Sequence, residues 1–389
     1  MKGWMEYKFS DFVDINPKVH LDSKSRYSFV EMKNIDSTKK YCKPEQYKLL
    51  AGGSRFINGD TLFARITPCL ENGKIAKVHN LTNSIGFGST EFLVFRGKPK
   101  ISDNDFVYYL SRWHEVRDFA EKHMEGSSGR QRVSKNCFSS LIINLPMLEE
   151  QRAISAVLSN LDDKIDLLQR QNATLEAMAE ALFRQWFVAE AKEEWEEKKL
   201  SDMINLVGGG TPKTSMPNYW GGTIPWLSGG DIACHHKTFI FSSEKFITDG
   251  GLNNSAARLV PKYTTIITAR GTVGKFCLTG KPMAFSQTNY GVMPKDNKNF
   301  FFTFLLIDYV VNTLKSAAYG SVFDTITSQL FDEVSIALPS KNVIEKFDST
   351  VGVFFRKIFS NQKQIQTLQK LRDTLLPKLM SGEVRVSLD

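Results

Sequence analysis

Apolar residues recur at alternating steps of four and three through Ile154, Leu158, Leu161, Ile165, Leu168, Leu175, Ala179, Leu182 and Trp186, interrupted only by Asn172. A spacing that averages three and a half residues marks a helix whose apolar stripe faces another helix. A second run keeps the same phase at Val351, Phe354, Ile358, Ile365, Leu368, Leu375 and Leu379, interrupted by Asn361 and Arg372. No proline falls between Pro146 and Pro212, and Pro377 comes only near the end of the second run, so two long unbroken helices are predicted. Either each stripe packs on a separate core, or the two stripes pair with each other. The seam-like spacing favours pairing, and the globular segment between the runs favours an antiparallel arrangement. Asparagines buried in such a seam commonly fix its register at some cost in stability.

The rest of the chain repeats itself. Trp4-Met-Glu-Tyr-Lys-Phe-Ser-Asp11 returns as Trp195-Glu-Glu-Lys-Lys-Leu-Ser-Asp202, displaced by 191 residues. Phe138-Ser-Ser-Leu-Ile-Ile-Asn-Leu-Pro146 returns as Phe331-Asp-Glu-Val-Ser-Ile-Ala-Leu-Pro339, displaced by 193. Between them, Leu62-Phe-Ala-Arg65 is similar to Ile266-Ile-Thr-Ala-Arg270. Three matches in order at nearly constant displacement indicate a tandem duplication. The organisation read from this is a globular domain at 1–147, a long helix at 148–191, a second globular domain at 192–340, and a second helix with a tail at 341–389. Within the domains, 90–95 and 263–268 read as strands, while 105–122 and 300–317 read as helices. The expected fold is thus two pseudo-repeated α/β (α+β) domains separated by two long helices that pair as an antiparallel coiled coil.

Composition adds limits. With 42% hydrophobic and 24% charged residues the chain is of ordinary globular type. No run of about 18 apolar residues is evident, so no membrane span is expected. The opening MKGWMEYKFSDF lacks the apolar core of a secretory signal. Cys42, Cys69, Cys137, Cys234 and Cys277 stand singly, which suits reduced thiols and a cytoplasmic location. The net charge of +8 points toward an acidic partner such as nucleic acid. It is uneven: residues 1–146 carry +7, 147–194 carry −5, 195–339 carry +2 and 340–389 carry +4. An acidic segment between basic ones suits a protein-facing spacer.

No catalytic or metal-binding constellation stands out. Gly271-Thr-Val-Gly274-Lys275 has a Gly-Lys pair without the correctly spaced first glycine of a phosphate-binding loop. No aromatic-flanked Pro-Pro motif suited to a flipped base occurs. Adjacent Cys234, His235 and His236 cannot converge on one ion without distant partners.

Leu145-Pro-Met-Leu-Glu-Glu150-Gln151-Arg152-Ala-Ile154 leading into Leu161-Asp-Asp-Lys164-Ile165, then Phe183-Arg-Gln-Trp186-Phe187, resemble the specificity subunits of type I restriction-modification systems. Gly208-Gly-Gly-Thr-Pro-Lys213 with Trp220, Ile224-Pro-Trp226-Leu-Ser228-Gly-Gly-Asp231-Ile232, and the ending Leu375-Leu-Pro377-Lys-Leu-Met-Ser381-Gly382-Glu383 are equally family-like. The second copy departs from the pattern, having Asn342-Val-Ile-Glu-Lys346 where the first has Glu-Gln-Arg-Ala. The resemblance implies a DNA-binding, non-catalytic subunit whose two recognition domains each read one half of a split, asymmetric duplex sequence. Its helices set the gap and dock two modification subunits, with restriction subunits joining where present. The chain itself then holds no cofactor, and S-adenosylmethionine, ATP and Mg belong to those partners. Helices of 30–38 residues would span about 45–57 Å at 1.5 Å per residue, enough for domains on major-groove faces about one turn apart or somewhat more.

Phosphate contacts from Lys and Arg would supply affinity, and base-edge contacts from Arg, Asn, Gln, Ser and Thr would supply sequence. Candidates are Arg65, Ser89, Thr90, Arg130, Gln131 and Arg132 in the first copy. In the second they are Lys213, Arg270, Lys275, Gln287, Thr288, Asn289, Ser321 and Thr325. Arg65 and Arg270 are read as equivalent, as are the loops 129–132 and 320–325, with 89–91 a rough counterpart of 286–289. Each candidate has an ordinary surface or turn role as its alternative. Two other functions compete: a self-contained DNA-modifying enzyme, and a coiled-coil scaffold that never touches DNA.

Overall fold

A computed structural model describes residues 3–127, 129–319 and 325–387. The chain divides into two compact units, Met1–Leu168 with Gln364–Asp389, and Gln169–Lys363.

In the first unit a five-stranded sheet runs in the order Val13–Ile15, Phe92–Gly97, Thr61–Ala64, Ile75–Val78, Tyr41–Cys42. All four residues of Thr61–Ala64 and of Ile75–Val78 are buried, so both faces of these strands are covered and polar alternation is absent. Phe95 sits at the centre of the core, its ring 5.4 Å from Phe9, 5.0 Å from Phe63 and 5.4 Å from Phe138. A second sheet runs Gln46–Leu49, Arg26–Val30, Ile85–Gly88, Ser54–Ile57.

The second unit repeats this plan. Its five-stranded sheet runs Ile204–Gly208, Asn289–Pro294, Thr265–Thr268, Phe276–Thr279, Phe239–Ile240. The outermost pair is parallel in both units, and the other pairings are antiparallel. Its smaller sheet runs Lys245–Ile247, Trp220–Leu227, Ala284–Phe285, and a single bridge between Val260 and Met283 stands where the first unit has its fourth strand. Each unit is also clipped by an antiparallel pair, Met5–Lys8 with Ile142–Leu145 and Glu196–Lys199 with Ser335–Leu338.

Two helical expectations change. The segment 105–122 is two helices, Asn104–Arg112 and His114–Lys122, because Trp113 is extended (φ −62°, ψ 137°) and buries its ring in the core. Its counterpart Phe300–Tyr319 is continuous. Over Phe300–Ala318 that helix, with mean hydropathy 1.3, is long and apolar enough by length and composition to cross a membrane, contrary to the expected absence of such a run. Phe301, Phe302, Phe304, Leu305, Leu306 and Ile307 are buried in the second unit's core, which accounts for a helix apolar nearly all round.

The long helices are Leu148–Arg184, followed by a π-turn Gln185–Ala189, and Lys341–Met380. In the first unit Ile165, Leu168 and Ile365 form a buried cluster with Leu368 against it, and Arg372 meets Asp162. In the second, Asn361 meets Asn172, and the Phe347 ring lies 4.8 Å from Phe187. Later residues of one helix thus meet earlier residues of the other, and the pairing is antiparallel. The stripe also serves the cores. Ile154 and Leu158 join the first unit's core, with Leu375 packed against it; Val351 and Ile358 join the second's, with Leu175, Leu182 and Phe354 packed against it. Leu161 is half-buried. Both arrangements allowed by the periodicity therefore occur along the same helices.

The missing Glu-Gln-Arg-Ala element has a structural consequence. Gln151 accepts from Asp103 N (3.0 Å) and donates to the carbonyls of Ile101 and Pro146 (2.9 Å each). Ile344 stands at that position in the second copy, beside a cleft of about 180 Å³ lined also by Met203, Pro294, Phe302 and Pro339. The capping of the adjoining helix is rearranged too. In the first unit Asp103 caps Asn104–Arg112, accepting from Asp105 N and Phe106 N, while Ser155 donates to the same carboxylate. In the second unit Asp348, at Ser155's place in the repeat, itself accepts from Phe301 N (2.9 Å) and Phe302 N (2.8 Å).

Burial pushes the Asp348 carboxyl up to about 6 from 3.8, although its two backbone donors oppose the shift. A raised carboxyl favours the protonated form in the folded state. Its stabilising contribution is therefore complete below pH 3.8 and lost as pH rises through about 6. Near pH 4, Asp348→Ala should cost about 1–2 kcal/mol through two unpaired N–H groups. Asp348→Asn should match the parent near pH 4 and melt higher than it at pH 8; thermal unfolding at both values checks this, and equal midpoints at pH 8 would refute it.

Candidate nucleic-acid interface

In the first unit three loops are knitted together by backbone hydrogen bonds at the end of strand Thr61–Ala64. Arg65 N donates to Glu91 O (3.0 Å), and Val133 N donates to Arg65 O (2.8 Å). Thr67 N donates to Gln131 O, and Gln131 N donates to Thr67 Oγ1 (3.1 Å each). The sequence candidates of the first copy, scattered from residue 65 to 132, therefore share one surface.

Their side chains differ in availability. The Arg132 guanidinium lies on the Glu91 carboxylate, with Nη2 at 2.8 Å and Nε at 3.0 Å, and it also donates to Arg130 O. Glu91 raises the Arg132 pKa and neutralises part of its charge. Arg130 and Thr90 are exposed, and Gln131 is half-buried. Arg65 is half-buried, with an Nε that finds no hydrogen-bond partner among the described residues. Ser89 Oγ accepts from Glu91 N (3.1 Å), so its hydroxyl shapes the turn.

The second unit has the same frame. Ala269 N donates to Thr288 O (2.9 Å), and Ile326 N donates to Ala269 O (3.0 Å). Ser286 N donates to Leu227 O and Asn289 N to Ser286 O, as Ser89 N donates to Val30 O and Phe92 N to Ser89 O. Gln287 thus stands where Thr90 does, and Thr288 where Glu91 does. The counterpart of Arg65 is Ala269, so the expected equivalence of Arg65 and Arg270 is displaced by one residue. At the end of a strand one residue reverses the face, and Arg270 is accordingly exposed where Arg65 is half-buried.

Arg270 opens a loop in which Gly271 and Gly274 take φ +76° and +77°, conformations that favour glycine. Thr268 Oγ1 accepts from Lys275 N (3.0 Å) and donates to the Thr272 carbonyl, fixing the turn; Lys275 itself is half-buried. Gln287 is exposed and accepts from Thr211, on the loop that carries exposed Lys213. Asn289 is only 1% exposed and donates to Ser286 Oγ (2.8 Å), so it supports the loop from below and cannot reach a base edge without rearrangement. Thr325 precedes Ile326 and takes the place of Arg132. Ser321 lies outside the described residues.

A further loop in each unit escaped the sequence reading. After Val30, Glu31 N donates to Asn34 Oδ1 (2.7 Å); after Leu227, Ser228 N donates to Asp231 Oδ2 (2.8 Å). These capping boxes hold short helices beside Ser89 and Ser286. In the first unit this loop brings Lys33 and Lys48 onto Glu31, whose carboxyl they hold below its usual value, Lys33 first. The spacing Ser228-Gly-Gly-Asp231 carried a capping signal. His235 and His236 do not converge: their Nδ1 atoms lie 2.9 Å from Asp231 O and 3.4 Å from Phe276 O respectively.

Both copies match one family model. Residues 1–177 and 192–373 match the type I restriction modification DNA specificity domain. The chain is 25% identical to the type I restriction enzyme HindI specificity subunit of Haemophilus influenzae, across 99% of this chain and 100% of that one. It is 26% identical to the MjaIX specificity subunit of Methanocaldococcus jannaschii, across 73% and 69%. In fold it is similar to the S subunit of a type I restriction-modification system from M. genitalium, with TM-score 0.61, 17% identity and coverage of 97% and 96%. The duplicated architecture and the match of both copies place this chain in the type I restriction-modification DNA specificity family, as the component that carries specificity and not catalysis.

Proposed function

We propose that each unit reads one half of a split, asymmetric duplex sequence through its loop face, and that the two long helices set the gap and dock two modification subunits. One observation carries this reading. The same backbone frame recurs in both units with different side chains, Arg65, Thr90, Glu91 and Arg132 in one against Ala269, Gln287, Thr288 and Thr325 in the other. A shared frame with different donors and acceptors suits two unlike half-sites, because base edges are distinguished by their hydrogen-bonding patterns. S-adenosylmethionine, ATP and Mg then belong to the modification and restriction subunits, and the assembly works on cytoplasmic DNA.

The half-sites should change separately. Arg65→Ala or Arg130→Ala should relax the first half of the selected sequence, and Gln287→Ala or Arg270→Ala the second, by about 1–3 kcal/mol for each lost bidentate contact. Selection from random duplexes by the assembled complex at fixed salt checks this; simultaneous loss of both halves would overturn it.

Glu91→Gln makes a different prediction. Removing the carboxylate frees the Arg132 charge, so affinity for unrelated DNA should rise and the slope of log K against log salt should steepen by about 1. A salt titration on a non-target duplex supplies the measurement, and an unchanged slope would mean that Arg132 never faces phosphate.

A further inference from the structure

We infer that the helical seam is coded for unlike partners: the first long helix accepts the second and rejects a second copy of itself. This rests on the pairing of the helices and not on the reading of DNA.

The two helices begin at Leu148 and Lys341, so each seam position has a counterpart 193 residues away. The buried polar groups break this equivalence. Asn172 has Ile365 as its counterpart, and Asn361 has Leu168. Asp162 has Phe355, and Arg372 has Ala179.

In the second unit Asn361 Nδ2 donates to Asn172 Oδ1 and Gln171 Oε1, both at 2.8 Å. The counterpart layer, in the first unit, is Leu168 and Ile365, wholly apolar. In the first unit Arg372 Nη1 lies 2.6 Å from Asp162 Oδ1, with the two side chains 6% and 2% exposed, and Tyr109 Oη donates to Asp162 Oδ2 at 2.7 Å. Its counterparts Ala179 and Phe355 are buried in the second unit's apolar core. Across the seam, Asp162 meets Arg372 and Asn172 meets Asn361, each on the other helix, while Arg372 also bonds Asp373 on its own helix and Asp162 also accepts from Tyr109.

Two copies of the first helix, paired in the same antiparallel geometry, would set Asp162 against Ala179 and Asn172 against Leu168. Two copies of the second would set Arg372 against Phe355 and Asn361 against Ile365. A buried charge without its partner disfavours such pairs by about a hundredfold or more. The consequence is an obligatorily asymmetric molecule, one copy of each domain per helical pair, instead of a symmetric dimer of either half.

Two full-length variants test the code. One carries Arg372→Ala and Asn361→Leu, so that its second helix presents the first helix's residues. The other carries Asp162→Leu and Asn172→Ile. Each alone should melt below the parent, since its own seam leaves polar groups unmatched. Unfolded together in urea and refolded with different tags, they should form a mixed dimer, at least about tenfold over either self-dimer. Recovery of folded protein only on co-refolding supports the code as well. Mixed dimers no more abundant than self-dimers, or variants as stable as the parent, would overturn it. A cycle at one pair gives a second readout. Asp162→Leu and Arg372→Leu should each lower the melting midpoint more than the double substitution does, and additive effects would contradict the pairing.

Discussion

Each compact unit is closed by helix segments that lie far apart in sequence, and the antiparallel meeting of those segments is the constraint on which the structure depends. In the first unit Ile154 and Leu158 share a core with Leu376, Leu379 and Met380. In the second, Phe183 and Phe187 share one with Phe347 and Phe355. Neither core is complete until both helices are in place. The register of that meeting is set by directional contacts, Asn172 with Asn361 and Asp162 with Arg372, and apolar layers alone would tolerate slippage. Breaking one partner of the buried ion pair strands a charge, which is far more damaging than replacing both.

On this support the duplicated domains hold a common loop frame. Backbone hydrogen bonds fix the frame, which leaves side chains at Thr90 and Gln287, or Arg132 and Thr325, able to differ without altering the loops. The charge is balanced locally as well. Arg132 lies on Glu91, and Lys33 and Lys48 lie on Glu31, so the first unit's loop face is less cationic than its sequence suggests. If this face reads DNA as proposed, such pairing would lower indiscriminate attraction to phosphate and leave more of the affinity to directional contacts.

The long helices were legible because a strict alternation of three and four over many residues has few other physical meanings. The duplication was legible from three short matches. What failed was register at the scale of one residue. The Ala-Arg letters of 64–65 and 269–270 invite a direct alignment, whereas the hydrogen-bond ladder pairs Arg65 with Ala269. Burial of Asn289 could not be read from an amide-rich stretch, because its exposure depends on the Ser286 turn above it. The break at Trp113 has no proline or glycine to announce it, and arises because the ring is buried in the core. The loops after Val30 and Leu227 were missed because their role depends on contact with Ser89 and Ser286, which are remote in sequence. The seam asparagines were readable as register-fixing positions, whereas Arg372 read only as an interruption because its partner Asp162 lies off the predicted apolar stripe.

The most direct test of the whole account is to map methylated bases across the host genome with and without this gene. The account predicts the loss of one motif, split by a fixed gap and different in its two halves. Unchanged methylation, or loss of a single uninterrupted palindrome, would contradict it.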